Sequence, residues 1–239
     1  MSSLIHTLSL TELKLYLVFT YTLVWYFLYN AFGFVAQNKA QQLKIITAFF
    51  YCLVPTTLSI LLFRGTLNGE VNLSSAHIHF LLVIVSFYSF STIEEFRIKS
   101  NYNWALIIHH IAFGLVILKF AISADIPSTW LWIVAVQFSS IFVSLRSILK
   151  SYPKLYKRFN TVLEEADFWT FLLVRMLFQT FMMLSAIYDM YLVDEYRYVL
   201  IAAFFLSMLL NIIWFNQIVA KKIRRNKKIF DKGLTISVL

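Results

Sequence analysis

One cysteine, Cys52, stands in a chain of 239 residues. A single copy therefore cannot assemble an intramolecular disulfide, a zinc cluster or a thiol redox pair, and the redox compartment cannot be read from cysteines. Charge is scarce as well. Only 14% of the residues are Asp, Glu, Lys or Arg, whereas 60% are hydrophobic, a balance foreign to a soluble domain of this length. The solvent for most of this chain is lipid. Five glycines and three prolines supply no Pro/Gly-rich linker, and neither an internal repeat nor a low-complexity run is present. Met1 to Lys14 holds no basic stretch followed by a short apolar run and a small-residue cleavage site. No removable signal peptide is read there, and the first apolar span is expected to target the chain.

What is present is apolar sequence in lengths that fit a bilayer. Seven stretches can be cut out, at 13–33, 45–63, 77–96, 103–122, 129–148, 167–189 and 198–220, each near the roughly 20 residues a transmembrane helix needs. The expected fold is all-α, a polytopic integral membrane bundle of about seven transmembrane helices. Turn chemistry supports the cuts: Arg64 to Ser75 is polar and contains glycine, Ile126-Pro127-Ser128 precedes the fifth span, and Ser151-Tyr152-Pro153 follows it.

An odd number of spans puts the termini on opposite sides, and the 21 basic residues then sort unevenly. One side receives Lys39, Lys44, Arg97, Lys99, the cluster from Arg146 to Arg158 and the cluster from Lys221 to Lys232; the other receives Lys14, Arg64 and Arg197. By the positive-inside rule the rich side is cytosolic, so the N-terminus is expected in the lumen and the C-terminus in the cytosol. The net charge of +9 follows from this topology signal, and with no soluble domain to carry a groove reader, nucleic acid is not an expected partner. From Tyr152 to Asp167, apolar Leu155, Tyr156, Phe159, Val162 and Leu163 recur at helical spacing opposite Lys154, Lys157 and Arg158. This stretch is expected to lie along the cytosolic leaflet or to contact an anionic cofactor such as coenzyme A.

Polar side chains inside spans are costly in hydrocarbon and mark candidate functional sites. The adjacent His109-His110 lie about 10 Å in from the cytosolic end of the fourth span at 1.5 Å per residue. Gln137, Arg175, Asn211, Ser89 and Ser91 fall at similar depth by the same ruler, on four further spans. Such residues can line one cavity, although lone Asn, Gln or His side chains also serve as ties between helices and Arg175 can snorkel. Neighbouring residues diverge by about 100° on a helix, so one imidazole points into a pocket while the other supports it. His110 shares its stripe with Leu106, Phe113, Gly114 and Ile117; space beside Gly114 suits an acyl chain or a close-packed helix. His77 and His79 fall on different helix faces and are not read as metal ligands. The sequon Asn72-Leu73-Ser74 lies too near the third span for easy glycosylation.

These residues resemble a family, the TLC domain, over roughly residues 45–225. Four segments carry the resemblance in the family's order: Trp104 to His110 at the entry of its His-His helix; Gln137 to Arg146, with paired serines and a Phe; Phe159-Asn160 with Phe171 to Arg175; and Leu210 to Trp214 with the basic exit beyond. On this reading 1–44 is an N-terminal region with the first span, 45–225 the TLC-like domain and 226–239 a basic cytosolic tail. Many members carry an Asp in the helix before the His pair, where this chain has Ser91, and an acid after it, where this chain has Gln137. The match is closer to the shorter TLC-domain-containing proteins linked to membrane lipid composition than to ceramide synthases.

The resemblance implies residence in the endoplasmic reticulum and two functions. One is a lipid-binding or lipid-regulating protein that keeps the family cavity without its reaction, with a cargo receptor of the early secretory pathway as a variant. The other is an acyltransferase in which acyl-CoA is a co-substrate, His110 or His109 acts as nucleophile or base, and Arg175 stabilises negative charge. Gln137, Asn211, Ser91, Gly114 and Trp214 complete the expected binding site with Arg175. No resident cofactor or metal is called for. Membrane lipids, acyl-CoA and a second copy in a homodimer are the partners considered.

Overall fold

The computed structural model describes residues 9–67, 75–98, 104–123, 128–190 and 197–236. The sequon at 72–74 lies outside them. Every regular element among the described residues is helical: α1 (Leu10–Ala31), α2 (Lys39–Leu67), α3 (Ser75–Ile98), α4 (Trp104–Ser123), α5 (Ser128–Ala135), α6 (Ile141–Leu149), α7 (Pro153–Thr170), α8 (Gln179–Met190) and α9 (Arg197–Ile236). The turn Val136–Ser140, of 3-10 type, joins α5 to α6, and the π-helical segment Phe171–Phe178 joins α7 to α8. The described residues thus form seven rods. Six contain helices long and apolar enough to cross a membrane. In the fifth rod, Ser128–Leu149, the 3-10 turn interrupts the α-helix and leaves a shorter apolar run. The chain is a multi-pass helical membrane bundle.

Two boundaries differ from the sequence reading. The stretch expected along the leaflet is no separate element: Pro153 opens a helix that runs without a break through Thr170 and the π segment to Met190. Proline is tolerated at the first turn, where its missing N–H has no acceptor to lose, and nothing between Asp167 and Phe171 can stop the helix. Similarly, α2 begins at Lys39, ahead of the span start expected at residue 45.

Local chemistry fixes the helix ends and the one proline inside a span. At the start of α1 the Ser9 hydroxyl accepts from the Glu12 N–H, and the Glu12 carboxylate accepts from the Ser9 N–H at 2.6 Å, a reciprocal cap. Lys14, buried on α1, donates to the Ile122 carbonyl at 2.9 Å and caps the far end of α4. Within α2, Pro55 removes the N–H that would bond the Tyr51 carbonyl. The Thr56 hydroxyl donates to that carbonyl at 3.4 Å instead, which restores a partner that lipid cannot supply.

The tightest packing lies where α1, α2 and α3 meet. Phe50 and Phe87, both fully buried, stack with centroids 3.8 Å apart and planes at 5°. Trp25 sets its edge against both rings and donates its indole N–H to Ser86 at 3.1 Å. Lipid tails are as apolar as these rings, so shape complementarity and buried hydrogen bonds hold the helices together, not transfer from water. Beyond the last apolar turns, α7 and α9 are clasped by Lys222 to Glu165 at 2.7 Å and Arg225 to Glu164 at 2.8 Å.

Candidate functional site

A cavity of about 420 Å³ lies within the basic end of the bundle. Four cations from three rods line it: Lys44 near the start of α2, Arg146 on α6, Lys150 just after α6, and Lys221 on α9. Roughly two helical turns further in, at 1.5 Å per residue, Tyr51, His109, His110, Gln137, Arg175 and Trp214 form its inner wall. The inner wall lies at the depth at which the sequence places intramembrane polar groups, and the four outer cations belong to the basic side.

Arg175 is the best-positioned of these. It is 96% buried by its 4% exposure, and it sits in the π segment, facing the 3-10 turn. Residues three apart are eclipsed in a 3-10 helix, so Gln137 and Ser140 rise on one edge with Ser139 beside them. Arg175 donates Nε to Ser139 at 2.8 Å, and Nη2 to Gln137 Oε1 at 2.7 Å and to Ser140 at 2.5 Å. Its guanidinium also lies over the rings of Phe171, at 5.5 Å, and Trp214, at 5.9 Å. All these partners are neutral. Among the described residues no carboxylate comes within ion-pair distance of Arg175. Two rods leave α geometry at one level, and the departures are what bring three oxygens and a guanidinium together; π segments recur at functional sites for this reason.

The histidines differ in their surroundings. His110 Nδ1 lies 2.9 Å from the Ser91 hydroxyl, and its ring stacks on Tyr88 at 4.7 Å and 10°. His109 meets Phe113 at 4.6 Å and the edge of Trp214 at 5.4 Å. Each is 4% exposed, and both line the cavity. Trp214 therefore contacts both His109 and Arg175.

At the rim, Arg146 is shared between Asp167, at 3.6 Å, and Glu164, at 3.7 Å. Lys44, Lys150 and Lys221 have no carboxylate in ion-pair reach among the described residues. Desolvation holds the Lys150 ammonium below its ordinary pKa, and the positive charges of Arg146, Lys221 and Lys44 lower it further against a smaller opposing pull from Glu164. A rim of like charges at such spacing attracts anions.

Of the residues singled out in the sequence, His109, His110, Ser91, Gln137, Arg175 and Trp214 share this cavity. Gly114 and Asn211 do not line it. A Cβ on Gly114 would meet the Tyr88 ring at 3.7 Å, an ordinary contact, so α4 packs against Tyr88 at this glycine. Asn211 donates to Gln179 at 3.2 Å, and Gln179 donates to Ser207 at 3.4 Å: a buried tie between α8 and α9. His79 pairs with the Tyr21 hydroxyl at 2.8 Å. Lining residues not singled out for the site in the sequence include Tyr51 and Glu95, and Lys44 and Asp167 entered there only through topology and helix periodicity. Glu95 carried a signal, since it stands one turn beyond Ser91 on the same stripe of α3; both are buried.

Comparison with family models, with curated proteins and with solved structures gives no match for this chain. The resemblance to the TLC domain accordingly rests on the four sequence segments alone.

Proposed function

We propose that this chain is a lipid-handling protein of TLC type, which holds the anionic or carbonyl-bearing head of an acyl amphiphile in the cavity between its helices. The observation that carries this reading is Arg175. A guanidinium stays charged at any physiological pH, and burial without an opposite charge is expensive. Here its donors are fixed by a glutamine and two serines, which hold its position, and Asp167 attracts it only from beyond ion-pair distance. An anionic group or a strong carbonyl dipole in the cavity supplies what is missing, and the rim of Lys44, Lys150 and Lys221 draws such a ligand in. The positive-inside rule supports a cytosolic position for this end, and the family resemblance supports residence in the endoplasmic reticulum.

A second reading, acyl transfer from acyl-CoA, is favoured by the two imidazoles at the inner wall. An imidazole can take up an acyl group from a thioester or deprotonate an acceptor hydroxyl, with Arg175 beside the developing oxyanion. Acyl-CoA turnover by purified protein separates the two.

The test of the first reading is Arg175→Leu, since leucine is at home in lipid and the variant should insert normally. Lipids extracted with purified wild type and variant are compared by mass spectrometry. Wild type is expected to retain an anionic lipid that the variant loses at least fivefold, both proteins remaining monodisperse. Equal retention of that lipid by both would contradict the proposal.

A further inference from the structure

Two polar atoms on cavity-lining residues lack a hydrogen-bond partner among the described residues, His110 Nε2 and His109 Nδ1, as does the hydroxyl of Tyr88 behind them. Their rings are packed together, Tyr88 on His110 and His109 centred 5.7 Å from His110. Buried polar atoms are nearly always satisfied, so two imidazole nitrogens left open on the wall of a cavity call for a bound molecule.

The chemistry of that molecule can be read from Ser91. Its hydroxyl has one hydrogen, and two acceptor positions are in range: the Tyr88 carbonyl at 3.3 Å and His110 Nδ1 at 2.9 Å. A helical serine directs its hydrogen to the carbonyl a turn behind it. The Ser91 oxygen then accepts from Nδ1–H, and the Nε2 of His110 is left as a bare lone pair. His110 thus requires a hydrogen-bond donor from the ligand, while Arg175 and the lysine rim require an acceptor with negative charge. A fatty carboxylate, or a phosphate carrying no other polar group, offers only the second.

We infer that the ligand carries a hydroxyl beside its anionic group: it is a phosphate ester of a polyol, with the hydroxyl donating to His110 Nε2 and the phosphate facing Arg175 and the rim. This rests on the anionic-amphiphile reading above and narrows it. The phosphate ester can be a lipid head or a free polyol phosphate, and the probes below tell these apart.

The experiment uses the full chain in nanodiscs of neutral lipid and three probes: a monoacyl glycerol phosphate, the same molecule with its free hydroxyl replaced by fluorine, and glycerol phosphate without an acyl chain. Fluorine matches the hydroxyl in size but cannot donate. The fluoro analogue is expected to bind about tenfold more weakly than the hydroxyl probe, the loss of roughly one buried hydrogen bond. In His110→Phe that tenfold gap should close. Equal binding of the two acyl probes to wild type overturns this inference and leaves the proposed function standing. No binding of either acyl probe overturns the anionic-amphiphile reading beneath it. Glycerol phosphate binding as tightly as the acyl probe overturns the lipid assignment and makes the soluble ester the ligand. The wild-type comparison decides the matter even if His110→Phe fails to fold.

Discussion

Where α1, α2 and α3 meet, aromatic rings touch other rings: Trp25, Phe50 and Phe87 form one stack of edges and faces. Around the cavity the rings instead face polar groups, Tyr88 against His110, Trp214 against His109 and Arg175, Phe171 against Arg175. The first region is regular helix filled by fit. The second contains the 3-10 turn Val136–Ser140 and the π segment, and keeps the buried nitrogens His109 Nδ1 and His110 Nε2 short of partners. Helices that only need to pack can stay ideal, whereas helices that must converge several side chains on one point have to change pitch.

If this division is correct, a cut in the dry region should cost stability and a cut in the wet region should cost binding. The largest stability effect is expected from Phe87→Ala. Its unfolded reference is in lipid, so the loss is mainly the empty volume beside Phe50, on the order of 2 to 3 kcal/mol. Thermal unfolding in detergent should show this drop while the bound lipid of the surviving folded fraction stays the same. Loss of lipid in step with stability would break the division.

A smaller effect separates the rim from the inner wall. Because desolvation and its cationic neighbours lower the Lys150 pKa, Lys150 sheds its proton before an ordinary lysine does as pH rises. Affinity for an anionic amphiphile should therefore be full near neutrality and, as pH rises, begin to fall before ordinary lysines titrate. In Lys150→Met that early fall should vanish, and affinity at neutral pH should drop only about twofold to fivefold. Glu164, Arg146, Lys221 and Lys44 face the same ammonium, so the profile should be measured at fixed ionic strength. An unchanged profile in the variant would show that Lys150 does not face the ligand.

Much of this architecture was legible in the apolar runs, because a span must be long and must bond its own backbone. Depth was legible too: a fixed rise per residue placed His110, Gln137 and Arg175 at one level before any contact was known. Azimuth was not. Asn211 and Trp214 lie within one turn of α9, about 60° apart in rotation, yet Asn211 ties to Gln179 and Trp214 faces the cavity. Only the neighbouring helix decides between them. Gly114 poses a related question, since the sequence leaves open an acyl chain or a packed helix beside it and only the neighbouring α3 puts Tyr88 there. The 3-10 turn and the π segment leave no mark in residue type, so the meeting of Ser139, Ser140 and Gln137 at Arg175 could not be foreseen.

The most direct measurement is where a bound lipid touches the chain. An anionic phospholipid with a photoactivatable group next to its phosphate can be equilibrated with the full chain, irradiated and mapped by peptide mass spectrometry. The account predicts that the label concentrates on the cavity segments, around Lys44 to Tyr51, Gln137 to Lys150 and Trp214 to Lys221, and that Arg175→Leu removes it. Label spread along the outward face of α1, at Phe19, Leu23 and Phe27, with none in those three segments, would contradict it.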